Sequence, residues 1–170
     1  MDGEIGKLIQ RYQQKGILVD TNILLLLFVG RVNPDRIERF KRTQTYSIND
    51  YNLLLELLPR FSQIITTPNI LTEVNSLLNK DLRDPEYSQC LSLFSFFLSE
   101  NESLQLYEIY VETKKISKMD KLTQFGLTDC GIADLAAEKY LVLTDDLRLA
   151  SYLQSINIDV LNFNHIRYFS

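Results

Sequence analysis

Four short runs constrain this chain most: Ile17–Val19, Gln63–Thr66, Leu141–Thr144 and Asp159–Asn162. Each has an apolar, largely β-branched centre and is too short to alternate between a buried face and a solvated one. Such runs suit strands covered on both faces, the condition of a parallel sheet layered between helices.

Between the runs the period changes to that of helices. Ile5, Leu8, Ile9 and Tyr12 share one side of a helix over Glu4–Gln14, with Gly16 after it. Thr21–Val29 continues as a helix, and Gly30 is its expected stop. Helices fill Asn33–Phe61, the second opened by Ser47 with Asp50 three residues later, the spacing of a capping box. Pro68 opens a helix to about Asn79 at its permissive first turn. Asp84–Pro85 starts another through Phe97. Further helices are expected over about Leu106–Gln124, from Thr128 or Asp129 to Lys139, and over Leu147–Ile156. This order predicts an α/β fold, a three-layer α/β/α sandwich around a central parallel sheet of four or five strands. It reads as a single domain over 1–170, with a helical insertion at about 84–125 between the second and third strands.

The balance of 18 basic against 22 acidic residues gives a net charge of −4, which argues against a grip on nucleic acid by bulk positive charge. Two basic stretches, Arg31–Arg42 and Lys114–Lys121, are candidates for a local basic face beside nucleic acid, although each is interleaved with acids and a solvated surface is the default reading. Cys90 and Cys130 lack metal-site spacing and point to a reducing interior. The N-terminus lacks the basic flank and apolar core of a signal peptide. The apolar runs Ile23–Val29 and Leu91–Leu98 are far shorter than the roughly 20 residues that cross a bilayer. The expectation is a cytoplasmic protein without membrane contact.

In open parallel sheets, sites form beyond the carboxyl ends of the strands. Asp20 follows the first strand, and Asp145 and Asp146 follow the third. At ~100° per residue, Asp129 projects from the side of Ile132, Ala133 and Ala136, toward the body of the protein, whereas Asp134 points away. Glu73, three residues from Ile70 and four from Leu77, borders the buried face of its helix. Singly, each acid has a structural explanation as a helix cap or a rim residue. Together, four carboxylates from separate segments at one end of one sheet would repel one another without a cation. Oxygen ligands with no nearby His or Cys suit Mg²⁺ or Mn²⁺ rather than zinc. His165, the only histidine, lies near the C-terminus and reads as surface packing. No glycine-rich phosphate loop occurs.

In order and spacing, ILVDTNILL at the first strand, TTPNILTEV with Glu73, GLTDCGIADLAAE with Asp129 and YLVLTDDLRLASYL with Asp146 resemble the four conserved stretches of PIN-domain nucleases. The match reaches from about Gly16 to Phe163. The resemblance implies a PIN-like, Rossmann-like topology and a single-strand-specific endoribonuclease, a hydrolase using one or two Mg²⁺ or Mn²⁺ ions. Matched residue by residue, Asp20, Glu73 and Asp129 would be the core catalytic and metal-holding acids. Thr144-Asp145-Asp146 matches the family's Thr-x-Asp, making Asp146 the fourth acid, with Asp145 the alternative ligand beside it. Thr21 and Asn22 match the polar pair after the first acid, and with Thr144 would orient a carboxylate or a water. Single-stranded RNA is the implied substrate. A second copy of the chain and an inhibitor (antitoxin) protein are the implied candidates for partners. Compact toxins of toxin–antitoxin pairs are shorter than this chain, which adds a leading helix and the stretch Asp84–Phe125.

Two alternatives stand beside this reading. A phosphatase of the haloacid dehalogenase class also ends its first strand in an Asp and has a late acidic pair. It expects a second Asp two residues after the first, where this chain has Asn22. The other alternative is a non-catalytic PIN-like module that binds RNA or protein, its acids having lost their metal.

Overall fold

The computed structural model describes residues 3–99, 104–137 and 139–168. Ile17–Val19 forms β1, and all three residues are wholly buried because this is the middle strand of five. Around it lie β2 (Ile64–Thr66), β3 (Leu106–Glu108), β4 (Leu141–Thr144) and β5 (Val160–Asn162), in the order β3-β2-β1-β4-β5. Every pairing is parallel, with Leu18 opposite both Ile65 and Val142. From β1 the chain builds outward through β2 to β3, then returns to β1's other side for β4 and β5. The order therefore reverses between β1 and β4. At such a switch point the connecting segments diverge and leave a crevice beyond the strand ends.

The helices are α1 (Gly3–Tyr12), α2 (Thr21–Val32), α3 (Ile48–Leu57), α4 (Pro68–Asp81), α5 (Glu86–Leu98), α6 (Thr113–Ile116), α7 (Leu122–Ala136), α8 (Leu147–Ser155) and α9 (Phe163–Tyr168). Short 3-10 turns occupy Pro34–Arg39 and Leu58–Arg60. The segment from Ile23 to Gly30 in α2 is buried throughout, since a helix apolar on all sides must be covered on all sides. It packs against α3, α4, α5 and β4. Each Leu or Phe so buried contributes about 1.5–3 kcal/mol, so the run that follows Asp20 anchors it firmly. The capping box opens α3, with Ser47 accepting from the Asp50 amide and Asp50 accepting from that of Ser47.

Three expectations are corrected. Gly30 does not stop α2, which runs on to Val32. Its lack of a side chain serves packing instead, because a Cβ there would stand 2.5 Å from the Tyr51 ring. The helix expected over Leu106–Gln124 is absent: Leu106–Glu108 pairs with β2 as the fifth strand, and only Thr113–Ile116 is helical before Leu122. Tyr107, Ile109, Tyr110 and Val111 are aromatic or β-branched, and that local preference outweighs the helical periodicity. Part of the stretch 84–125 thus belongs to the sheet. Finally, neither Thr128 nor Asp129 caps a helix. The stretch Leu122–Ala136 is two helices meeting at a kink at Gly126, whose φ of 80° is a conformation glycine tolerates, and the second is already helical at Thr128 and Asp129. Glu138, inside the helix expected to reach Lys139, lies outside the described residues.

Cys90 and Cys130 are both buried and unpaired. Among the described residues no helix is long and apolar enough to cross a membrane. His165 is exposed on α9.

Candidate active site

The crevice at the switch point is where Asp20 emerges. Its amide still donates to Leu143 of β4 (3.0 Å), so the residue is held as the last rung of the sheet before α2 begins. Its carboxylate is gripped from two sides. Oδ1 accepts the Thr21 amide (2.6 Å) and Oδ2 accepts the Thr144 hydroxyl (2.6 Å). Thr144 is wholly buried at the end of β4, and its oxygen in turn accepts the Asp146 amide (3.0 Å). One hydroxyl therefore ties the tip of β1 to the turn after β4. Asp20 is only 6% exposed, a rare state for a carboxylate that has no cationic partner among the described residues.

The other acids arrive from helices and a loop. Glu73, exposed on α4, accepts the Thr21 hydroxyl on Oε2 (3.1 Å). Asp129, half-buried on α7, extends the side that carries the buried Ile132 and Ala133. Because α4 packs against α7, the two helices deliver Glu73 and Asp129 to the same place. Asp146 begins α8, and its Oδ1 accepts the amides of Arg148 (2.7 Å) and Leu149 (3.0 Å). Asp20, Glu73, Asp129 and Asp146 line one cleft of about 350 Å³, together with Arg42 and Phe125.

Asp145 turns elsewhere. It accepts from the Tyr46 hydroxyl (2.5 Å) and from Asn22 Nδ2 (3.1 Å), and it does not line the cleft. Tyr46 is buried in the core against Phe163. Desolvation, followed by the charge of Asp145, drives its phenol far above the usual range, so it stays a donor. Tyr46 from the core and Asn22 from the cleft wall together pin the loop after β4.

The electrostatics follow from this crowding. Burial pushes Asp20 up from 3.8 to about 6. The Thr144 and Thr21 hydrogen bonds oppose that rise, and the charges of Asp145 and Glu73 add to it. Asp129 is pushed up to about 7, by desolvation first and then by the charges of Asp20, Asp146 and Glu73, with Arg148 acting against them. Each of the four acids lining the cleft takes part in this mutual repulsion.

The donor chemistry fits a hard divalent cation: carboxylate and hydroxyl oxygens line the cleft, and no His or Cys does so among the described residues. The acids nevertheless do not form a finished cage. Among the described residues, no group of three or more His, Cys, Asp or Glu stands ready to hold a metal ion. Both oxygens of Asp20 and one each of Glu73 and Asp146 accept hydrogen bonds from neighbouring hydroxyls and amides.

Arg42 belongs to one of the two candidate basic stretches, and nothing in the sequence separates it from Arg39 or Lys41. Phe125, another cleft residue, escaped the sequence reading. Phe125 precedes the Gly126 break, which was visible only as a helix end.

No family model matches the chain, and no curated protein does. Among solved structures it is similar to a chain in the crystal structure of VapBC2 from Rickettsia felis bound to a DNA fragment from their promoter. The TM-score is 0.52 at 22% sequence identity, covering 86% of this chain and 98% of that one. The likeness extends to the fold, a parallel five-stranded sheet flanked by helices.

Proposed function

We propose that this chain is a PIN-type endoribonuclease that hydrolyses phosphodiester bonds of single-stranded RNA with the help of Mg²⁺ or Mn²⁺. One observation carries the reading. Four acids from four separate segments line a single cleft at the switch point of a parallel sheet. A protein gains no stability from such an arrangement of like charges, which fits a ligand of opposite charge.

Asp20, Glu73, Asp129 and Asp146 would hold the cation. Its contribution would be to acidify water and to neutralise charge gathering on the phosphate. The chain's own part is positional. Thr144 and the Thr21 amide fix the Asp20 carboxylate, the Thr21 hydroxyl steadies Glu73, and the α8 amides steady Asp146. Asp145 serves the scaffold through Tyr46 and Asn22 rather than the cation. The phosphatase alternative loses ground on the same contacts, because Asn22, standing where that class needs an acid, spends its amide on Asp145.

The VapBC2 likeness supports a protein partner, an inhibitor of the antitoxin kind, and a toxin role for this chain in such a pair. The non-catalytic reading has one observation in its favour, the unfinished cage. Incubation of labelled single-stranded RNA in Mn²⁺ against EDTA separates the cases. Cleavage in Mn²⁺ alone, lost in Asp20→Asn and Asp129→Asn, supports the nuclease. Intact RNA with phosphate released from a small phosphoester supports the phosphatase. Wild-type cutting rates in both variants would remove these acids from the chemistry.

A further inference from the structure

We infer that single-stranded RNA is held at this cleft by two cationic seats from separate segments: Arg42, which grips a phosphate, and Arg148 on Phe125, which receives a base. The inference rests on the nuclease reading and adds the residues that would bind its substrate.

Arg42 lines the acidic cleft, is exposed, and makes no ion pair or hydrogen bond to any described residue. A guanidinium beside four carboxylates that none of them neutralises at contact distance is open to an incoming anion. It also offsets the repulsion that those acids exert on a phosphodiester approaching the same cleft.

The second seat is a stack. Phe125 lines the cleft, and its ring lies 4.6 Å from that of Tyr152 at an interplanar angle of 20°. The Arg148 guanidinium carbon stands 4.9 Å from the Phe125 centroid, and Nη2 donates to the Gln124 carbonyl (2.9 Å). Arg148 is therefore anchored although exposed, with its rotamer chosen before any ligand arrives. A planar cation fixed on an aromatic ring is a platform for a nucleobase, which stacks on either surface without regard to sequence. Beside it, a Cβ at Gly126 would meet nothing within 4 Å, so the helix break leaves open space next to the ring. With one donor committed to Gln124, Arg148 is better suited to a base than to a phosphate. Arg42, bare of partners, is suited to the reverse.

The test is binding of a short labelled oligouridylate in Mg²⁺ to the Asp20→Asn chain, read by fluorescence anisotropy, with thermal melts as a folding control. On that background Arg42→Ala should weaken binding several-fold and lower the salt slope by about 0.7, whereas Arg42→Lys should keep both. Arg148→Ala and Arg148→Lys should both weaken it roughly tenfold, because lysine keeps the charge and loses the plane. An oligomer abasic at one position should lose a like factor on Arg148 and nothing further on Arg148→Ala. Equal losses for intact and abasic oligomers at every position, or an unchanged salt slope in Arg42→Ala, would overturn the inference. RNA cutting by the unsubstituted chain, assayed separately, distinguishes the two failures. Cutting without these signatures sinks the seats alone, the signatures without cutting sink the nuclease alone, and neither binding nor cutting sinks both.

Discussion

Replacing Asp20 by Asn in the metal-free protein should stabilise the fold at alkaline pH and not at acidic pH. The carboxylate titrates at about 6 in the folded chain against 3.8 ordinarily, with burial the largest cause. The folded state thus holds this proton more tightly than the unfolded state does. Below about pH 4 both states are protonated and the group costs nothing. Between pH 4 and 6 the cost grows, and above about 6 it is complete. The rise from 3.8 to about 6 corresponds to roughly 3 kcal/mol at ~1.4 kcal/mol per pH unit. Asn resembles the neutral acid, but its amide meets the Thr144 hydroxyl less well, which removes about 1 kcal/mol. The expected net gain is about 1–2 kcal/mol at pH 8, or about 3–6 °C in Tm for a chain of this size. Urea denaturation in EDTA at pH 4 and pH 8 measures it. A gain of the same size at both pH values, or a loss at pH 8, would refute the reasoning. Added Mn²⁺ should reverse the ranking, since only the wild-type chain keeps all four acids.

Thr144→Val should cost about 1–3 kcal/mol in urea denaturation, because it strips the Asp146 amide and the Asp20 carboxylate of their shared partner, and RNA cleavage in Mn²⁺ should fall at least tenfold. Tyr46→Phe should cost about 1–2 kcal/mol by the same measurement, since Asp145 loses a buried donor while the ring still packs on Phe163. Gly30→Ala should lower Tm through a clash with Tyr51, at a cost of about 1–3 kcal/mol. Adding Tyr51→Leu should recover part of that loss, which a merely helix-based role for Gly30 would not allow.

The sheet was legible where burial on both faces dictates composition. Four strands show as apolar runs in the sequence, and the acids after the first and third stand out because a carboxylate rarely interrupts such sequence. The fifth strand was hidden for a physical reason. Leu106–Glu108 is an edge strand with Leu106 buried and Tyr107 exposed, so it carries no double-sided apolar signature, and its neighbours Ile109 and Val111 fit a helical period as well. Glu73 and Asp129 could be assigned to faces of their helices from spacing alone. That α4 and α7 pack on one another, and so bring those faces together, is a tertiary fact that no local pattern encodes.

The adjacent pair Asp145-Asp146 shows how the backbone resolves what residue type leaves open. Thr144 ends β4 with its hydroxyl between Asp20 and the Asp146 amide, and that bond folds the chain back so that Asp146 faces the cleft as the cap of α8. Asp145 is then the residue at the outside of the bend, and it needs partners of its own. Tyr46 and Asn22 supply them, and Asn164 Nδ2 binds the Asp145 carbonyl (2.8 Å). The two carboxylates differ by one position and sit in opposite situations. One is shared out among donors that hold a loop in place; the other lies on a helix terminus at the edge of a cleft whose net charge is unbalanced. If the cleft takes a cation, it should be Asp146→Asn that weakens Mn²⁺ binding in a calorimetric titration. Asp145→Asn should instead lower stability and leave the titration nearly unchanged, because its contribution runs through Tyr46 and Asn22. The opposite pattern would mean that the hydroxyl of Thr144 does not set the geometry of this turn.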